Sequence, residues 1–459
     1  PEELLPVLKN IWRQVLKREP REEVSFFEQG GTSLKAILVL NQYYARHLDL
    51  SLNDFYHAPT LKEQCAMLEP EQSGKDGTPQ PESGQTEETG TPTFPAESIP
   101  FPVKGRTVLL TGATGYLGAH LLRELLQMGA GKIICLIRNV SDMRLRETLN
   151  AYFGGTFYLE NWSRIETVTG DMTKERAGLP ERAWEELARR SGLVVHCAAD
   201  VRHYAPEQEL YEANVRGTRN MLALAKKGGC PFVHISTVSV AGSRLREHPL
   251  ERAVFTEDCL DAGQNWQENS YGKTKMLAEM EVARAAAEGL PVKVFRIGRL
   301  TARQKDGVFQ RNPDTNAFYR LAKGLLEFAL LPETLSAESF ELTPVDLAAE
   351  AVGRLLSSGR CVFHILNSRR IPLGRLLNAC TEMKSVTAEE FDEKLRRAVQ
   401  GPCSDWLRAV AEMWISRDGM TGNMEVRSDQ TEAELKKAGF VWCEPDVEQL
   451  KKCLEGERR

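Results

Sequence analysis

The amino-acid sequence predicts a small four-helix bundle followed by an α/β domain, a doubly wound parallel sheet with a smaller, mostly helical C-terminal lobe. Three observations carry that expectation. From Arg106 onward, continuous apolar runs alternate with amphipathic segments, the pattern of parallel strands buried on both faces by crossover helices. The run TGATGYLG, Thr111 to Gly118, stands where the first apolar run hands over to a helix. Between residues 69 and 100 the composition turns to Glu, Pro, Gly, Ser, Thr and Gln, with only Phe94 and Ile99 able to join a core, so the chain divides there.

In residues 1–68, ELLPVLKNIWRQVLK has apolar residues at helical spacing, with Pro6 in the tolerated first turn. A loop through Val24–Phe27 leads to a helix opened by Ser33, in EQGGTSLKAILVL. A short helical turn near Asn53–Tyr56 follows, and Thr60 caps a last helix, LKEQCAML. Four helices in so few residues give a marginal core, suited to a module of a larger machine. Residues 69–100 read as a flexible linker of about 30 Å root-mean-square span, holding the bundle near its neighbour at roughly millimolar effective concentration.

Residues 101–459 form the second domain. Strands are expected at RTVLLTG, KIICLIR, IETVTGD, LVVHCAA, FVHISTVSV and VKVFRIG, with helices such as AHLLRELLQMG, QELYEANVRGTRNMLALAKKG and NSYGKTKMLAEMEVARAAAEG between them. The α/β core is expected at about 104–300 plus 343–367. The lobe is expected mainly at 301–342 and 368–459, where the alternation weakens to helical patches such as LGRLLNAC and TEAELKKAG.

The bulk properties exclude several classes. At 459 residues two or three domains are expected. A net charge of −5 gives no basic footprint for nucleic acid or an anionic membrane, and no apolar run approaches the roughly 18 residues of a membrane span. The opening PEELLPVLKN lacks a signal-peptide pattern and reads as a cut inside a longer polypeptide. Ten cysteines are scattered without a C-x-x-C pair, and eight histidines show no ligand spacing. Reduced thiols in a cytoplasmic protein, and no metal, are the expectation.

The chemistry begins at the glycines. Gly112 permits a tight turn, Gly115 lets backbone amides approach a pyrophosphate, and Gly118 lets the helix pack on the strand. With Thr114, Tyr116 and Leu117 they make a candidate dinucleotide site at a helix N-terminus. The second strand ends at Arg138, where an acidic residue would suit NAD. A guanidinium suits a 2′-phosphate, so NADPH is expected, with Arg144 and Arg146 as helpers and Asp171 at the adenine edge.

Tyr271 and Lys275 are spaced i, i+4, on one face of a helix that follows the ISTVSV strand. A neighbouring ammonium and an oxidised nicotinamide would both favour the phenolate, drawing the proton of Tyr271 within reach at neutral pH. Tyr271 could then protonate an oxygen whose carbon has received a hydride, with the Thr237 hydroxyl donating to the same oxygen.

With TGATGYLG, NVRGT (Asn214 to Thr218), the Thr237/Tyr271/Lys275 set and TPVD at 343–346, residues 106–459 resemble an extended short-chain dehydrogenase/reductase of Rossmann type. More narrowly, LLTGATGYLGAHLL and FTEDCL…NSYGKTKMLAE resemble the terminal thioester reductases of nonribosomal peptide synthetases, relatives of carboxylic acid reductases and aminoadipate reductase. FFEQGGTSLKAILVL resembles the carrier-protein signature, which implies 4′-phosphopantetheine attached to Ser33 at a helix N-terminus. The resemblance implies a carrier–reductase didomain. A peptidyl or aminoacyl thioester would be reduced by NADPH and released as an aldehyde, with a second round to the alcohol left open. It also implies upstream condensation and adenylation domains and a phosphopantetheinyl transferase as partners. Three competing readings share parts of the pattern: a nucleotide-sugar epimerase or dehydratase, a reductase-like cyclase, and a non-catalytic docking module.

Overall fold

The computed structural model describes residues 4–455 apart from 32, 45, 47, 49, 51–53, 56–57, 69–91, 139–141, 203–206, 249–250, 268, 401–402 and 417–422. Backbone packing divides the chain into two compact units. One comprises Pro1–Gly90, Lys323–Phe328 and Val386–Thr421, and the other Thr91–Ala322, Ala329–Ser385 and Gly422–Arg459.

The first unit holds α1 (Leu4–Leu16), α2 (Ser33–Tyr44) and α3 (Leu61–Leu68). Their apolar faces close over Leu8, Trp12, Phe26, Val39, Tyr43 and Phe55. Two of the polar groups inside donate in series. Trp12 Nε1 donates to the Tyr43 hydroxyl at 3.0 Å, which donates to Gln64 Oε1 at 2.7 Å, so burial leaves these donors satisfied. Thr60 and Glu63 form a reciprocal cap at the start of α3: the Thr60 amide donates to the Glu63 carboxylate at 2.9 Å and the Glu63 amide to the Thr60 hydroxyl at 3.3 Å. Of the turn expected at Asn53–Tyr56, only Asp54 and Phe55 are described, and they are helical.

The glycines before Ser33 have local reasons. Gly30 has φ +83°, and a Cβ on Gly31 would stand 2.2 Å from the Phe26 ring. Two further helices, Ala388–Ala398 and Asp405–Ser416, belong to this unit, and the second packs on α2. Position along the chain assigns 386–421 to the C-terminal lobe. Side-chain packing instead joins Phe391 to Phe328 and Trp414, with ring centroids 5.5 and 4.8 Å apart.

The expected linker, 69–100, lies outside the described residues as far as 91. Its last part is built into the second unit. Phe94 packs against the sheet-covering core, Ser98 donates through its amide to Gly359 O at 2.7 Å, and the Phe101 amide donates to Leu356 O at 2.7 Å.

The second unit is organised by seven parallel strands: β1 (Thr107–Thr111), β2 (Lys132–Ile137), β3 (Ile165–Thr169), β4 (Leu193–His196), β5 (Phe232–Thr237), β6 (Val292–Ile297) and β7 (Val362–Ile365). They lie in the order β7-β6-β5-β4-β1-β2-β3. The order reverses direction at β1 and β4, which opens a crevice at the carboxyl ends of those strands. Helix α4 (Tyr116–Gln127) leaves β1, α5 (Gly217–Gly228) precedes β5, and α6 (Ser270–Ala287) precedes β6. The expected long helix 208–228 is interrupted by a π-turn at Glu212–Arg216, overlapping NVRGT. A short parallel pair, Ala253–Phe255 with Met424–Val426, brings the C-terminal segment back against the sheet. No described helix is long and apolar enough to cross a membrane.

Candidate active site

The carboxyl edge of β1 turns through Gly112 at φ +76°, and a Cβ there would stand 2.7 Å from the Ala198 amide nitrogen. A Cβ on Gly118 would lie 2.0 Å from the Gly112 carbonyl oxygen, whereas one on Gly115 would meet only that oxygen, at 3.2 Å. Glycine is therefore required at 112 by both conformation and space, and at 118 by space. Gly115 caps α4 with no side-chain hydrogen bond, so the first amides of the helix face the crevice without a capping acceptor. A cradle of bare backbone at a positive helix end fits a dinucleotide's pyrophosphate.

The neighbouring side chains do other work. Leu117 is buried in the sheet core. The Tyr116 hydroxyl is directed to Thr301 O and Val308 O, at 2.9 and 3.2 Å, which ties the glycine turn to the loop after β6. Thr114 is half-buried in the turn itself. Thr111 joins the ends of β1 and β4. Its hydroxyl accepts from the Cys197 and Ala198 amides at 3.1 and 3.0 Å and pairs with His196 Nδ1 at 2.9 Å. Because Thr218 donates to Asn214 O, its oxygen accepts from His196 Nε2 at 3.1 Å, which makes the ring a neutral Nε2–H tautomer. Burial and the Lys275 charge hold His196 down at about 3.

The basic residues separate. Arg138 is exposed at the end of β2. Burial pushes the Asp200 carboxyl across the crevice upward, but hydrogen bonds from Arg202 and, more weakly, the Arg138 charge leave it below its ordinary value. Arg144 is exposed on the helix Asp142–Asn161. Arg146 is turned onto aromatic rings, 4.4 Å from the Trp162 centroid and 5.5 Å from that of Tyr158, with Asp142 at 3.5 Å. Asp171 follows β3, and its carboxylate accepts from the Thr173 amide and hydroxyl at 3.1 and 2.8 Å, leaving its second oxygen for other donors.

Helix α6 is started by Asn269, whose side chain accepts from the Gly272 amide at 2.7 Å. This places Tyr271 and Lys275 over the end of β5. Both are almost fully buried, as is Thr237. Lys275 Nζ donates to the Ile235 carbonyl at 2.8 Å. The Tyr271 phenol, hydrogen-bonded to Thr237, is pushed up to about 12, because burial outweighs that bond. Burial therefore favours the neutral phenol, a proton donor, over the phenolate. Burial also brings Lys275 down to about 8, against the opposing pull of Glu279.

Sequence reasoning did not single out Asn214 as a site residue. Its amide nitrogen donates to Asp200 O and Thr274 Oγ1 at 3.0 and 3.1 Å, and its oxygen accepts from the Asp200 amide at 2.8 Å. The side chain thus locks the π-turn to both the β4 loop and α6. The available signal was NVRGT itself. Ser33, the remaining candidate, opens α2 with its backbone in the first unit; its side chain lies outside the described atoms.

Residues 110–352 match the model of the NAD-binding family described as male sterility protein, and residues 6–68 match the model described as phosphopantetheine attachment site. Over 97% of its length the chain is 28% identical to a linear gramicidin synthase polypeptide of Brevibacillus parabrevis, of which it covers 9%. Over 57% it is 34% identical to glycine betaine reductase ATRR of Emericella nidulans, of which it covers 21%. The chain therefore spans a small fraction of the length of these curated relatives. Among solved structures, a thiolation-reductase di-domain from an archaeal non-ribosomal peptide synthetase is similar with a TM-score of 0.76 at 28% identity. That match covers 99% of this chain and 97% of the other.

Proposed function

Because the chain belongs to the NAD-binding family described as male sterility protein, we propose that it releases a peptidyl or aminoacyl thioester reductively from a carrier domain in the same polypeptide. In this reading residues 1–68 are the carrier, the linker runs from 69 to about 91, and the reductase follows, with 92–100 built into it. Ser33 carries 4′-phosphopantetheine, installed by a phosphopantetheinyl transferase, and upstream synthetase domains deliver the acyl group in the cytoplasm.

NADPH, when bound, supplies the hydride. Gly112, Gly115 and Gly118 would leave the cradle open for its pyrophosphate, and Arg138 and Asp171 would hold its 2′-phosphate and its adenine. Lys275, with one N–H committed to Ile235 O, has two left for ribose hydroxyls. The hydroxyls of Thr237 and Tyr271 donate to the thioester carbonyl oxygen, where negative charge develops. Tyr271 gives its proton to that oxygen as the carbon gains hydrogen. The hemithioacetal then breaks its C–S bond, the carbonyl re-forms, and sulfur leaves as the carrier thiol with a proton. Thioester, NADPH and one proton give aldehyde, thiol and NADP⁺.

The observation that carries this reading is a neutral, buried Tyr271 beside Thr237 and Lys275, at the sheet edge that also holds the glycine cradle. Loading the carrier with a peptidyl-pantetheine and following NADPH absorbance tests it. Acyl-dependent oxidation with release of an aldehyde is expected. Release without NADPH consumption would sink the reading.

A further inference from the structure

Three successive residues of β5 are each tied to one stripe of α6. The Thr237 hydroxyl meets Tyr271, the Ile235 carbonyl accepts from Lys275 at 2.8 Å, and the Ser236 hydroxyl donates to the Glu279 carboxylate. Tyr271, Lys275 and Glu279 are spaced i, i+4, i+8, so one helix face supplies all three. The proposed reaction uses the first two and leaves Glu279 without a role.

Glu279 is a fully buried carboxylate paired with the fully buried Arg296 of β6. Arg296 Nη2 donates to Oε2 at 2.8 Å, and Nε to both oxygens at 3.1 Å. Arg296 Nη1 lies 3.1 Å from His364 Nε2 on β7. A guanidinium only donates, so this nitrogen accepts, and His364 Nδ1 donates to Arg427 O at 2.6 Å. The ring is a neutral tautomer, stacked on Phe255 at 5.7 Å, and Arg296 lies 4.8 Å from the same Phe255 ring. The network therefore runs from α6 across β5, β6 and β7 to the returning C-terminal segment. A charge pair buried this completely is costly to maintain and is weak grounds for stability alone.

We propose that Glu279, braced by Arg296 and tied to Ser236, is a positioning residue that holds α6 in register with β5 and sets the surroundings of the Lys275 ammonium one helical turn away. The inference rests on the reading of Tyr271 and Lys275 above. The groups around Lys275 fit it. Tyr271 is neutral on the same helix. His196 of β4 and His234 of β5 are held neutral by burial and by Lys275 itself. The Cys197 thiol is pushed up to about 12. Glu279 remains as the carboxylate acting on the ammonium, raising it against burial.

The test uses the full chain, an acyl-pantetheine thioester and NADPH, with kcat/KM followed from about pH 6 to about pH 9.5. In Glu279→Gln the alkaline limb should move toward acid by about one pH unit, a tenfold loss on that limb, while the rate near pH 6 stays within about threefold. Glu279→Asp should restore the parent limb. A parent-like limb in a folded Glu279→Gln overturns the proposal. Should that variant fail to fold, Ser236→Ala removes only the tie to β5. It should lower kcat severalfold, leaving the limb and the KM for NADPH in place, and an unchanged kcat overturns the proposal. Lys275→Met separates the two levels: reduction at the parent rate would overturn the underlying catalytic assignment, and this inference with it.

Discussion

The Lys275 ammonium donates to the carbonyl of Ile235 at 2.8 Å, two residues before the Thr237 whose hydroxyl bonds Tyr271. This one contact binds the charged member of the pair to backbone rather than to the phenol, and burial then sets the two groups' protonation independently.

The pH dependence follows from that separation. Lys275 sits at about 8 and Tyr271 at about 12. As pH rises through about 8, Lys275 loses its proton while Tyr271 keeps its own. Activity should be flat below that point and fall about tenfold per unit above it. Lys275→Arg, if it supports turnover, should abolish this limb up to about pH 10. A wild-type profile that stays flat to about pH 10 would refute the assignment.

Removing the phenolic proton should be severe. Tyr271→Phe is expected to lower kcat by about 10² to 10⁴ without changing NADPH affinity, since the ring remains and the cradle is untouched. Stopped-flow NADPH oxidation and isothermal calorimetry read the two quantities separately.

The glycine turn makes a graded prediction. Gly118→Ala places a methyl 2.0 Å from the Gly112 carbonyl oxygen, so the turn must open and NADPH affinity should fall by more than tenfold. Gly115→Ala meets the same oxygen at 3.2 Å and should be milder. Calorimetric titration of both variants decides the order.

Cofactor selectivity should rest on Arg138 and not on Arg146. Arg138→Ala should erode the preference for NADPH over NADH by about tenfold or more. Arg146→Ala should leave the preference alone and cost about 0.5–1 kcal/mol of stability, from the lost stacking on Trp162. Paired coenzyme kinetics and thermal unfolding check both.

Ser33→Ala should block loading by a phosphopantetheinyl transferase, seen as the missing mass increment. The reductase should still consume NADPH with a free acyl-pantetheine thioester. Loss of both activities would place the serine's role elsewhere.

Much of the architecture was legible locally. Runs such as VLL (108–110) and LVV (193–195) are apolar throughout, and the seven-stranded parallel sheet buries them on both faces. Tyr271 and Lys275 could be put on one helix face because the period of a helix is fixed. Less visible was Glu279, although Y-x-x-x-K-x-x-x-E continues the same stripe. Its meaning depends on Arg296 and His364, 17 residues from Glu279 and 68 residues from Arg296 respectively, which only the sheet order brings together. Likewise the stacking of Arg146 on Trp162, 16 residues further on, depends on how the chain folds back after its helix.

By itself the sequence determined element types, the glycine turn and the candidate residues, since propensity, spacing and side-chain chemistry are local properties. Tertiary structure alone decided that burial pushes the Tyr271 phenol up and Lys275 down, and that the helices Ala388–Ala398 and Asp405–Ser416 join the unit of α1, α2 and α3. The physical reason is common to all three. Desolvation and contact depend on which distant segments exclude water from a group, and no window of sequence contains that information.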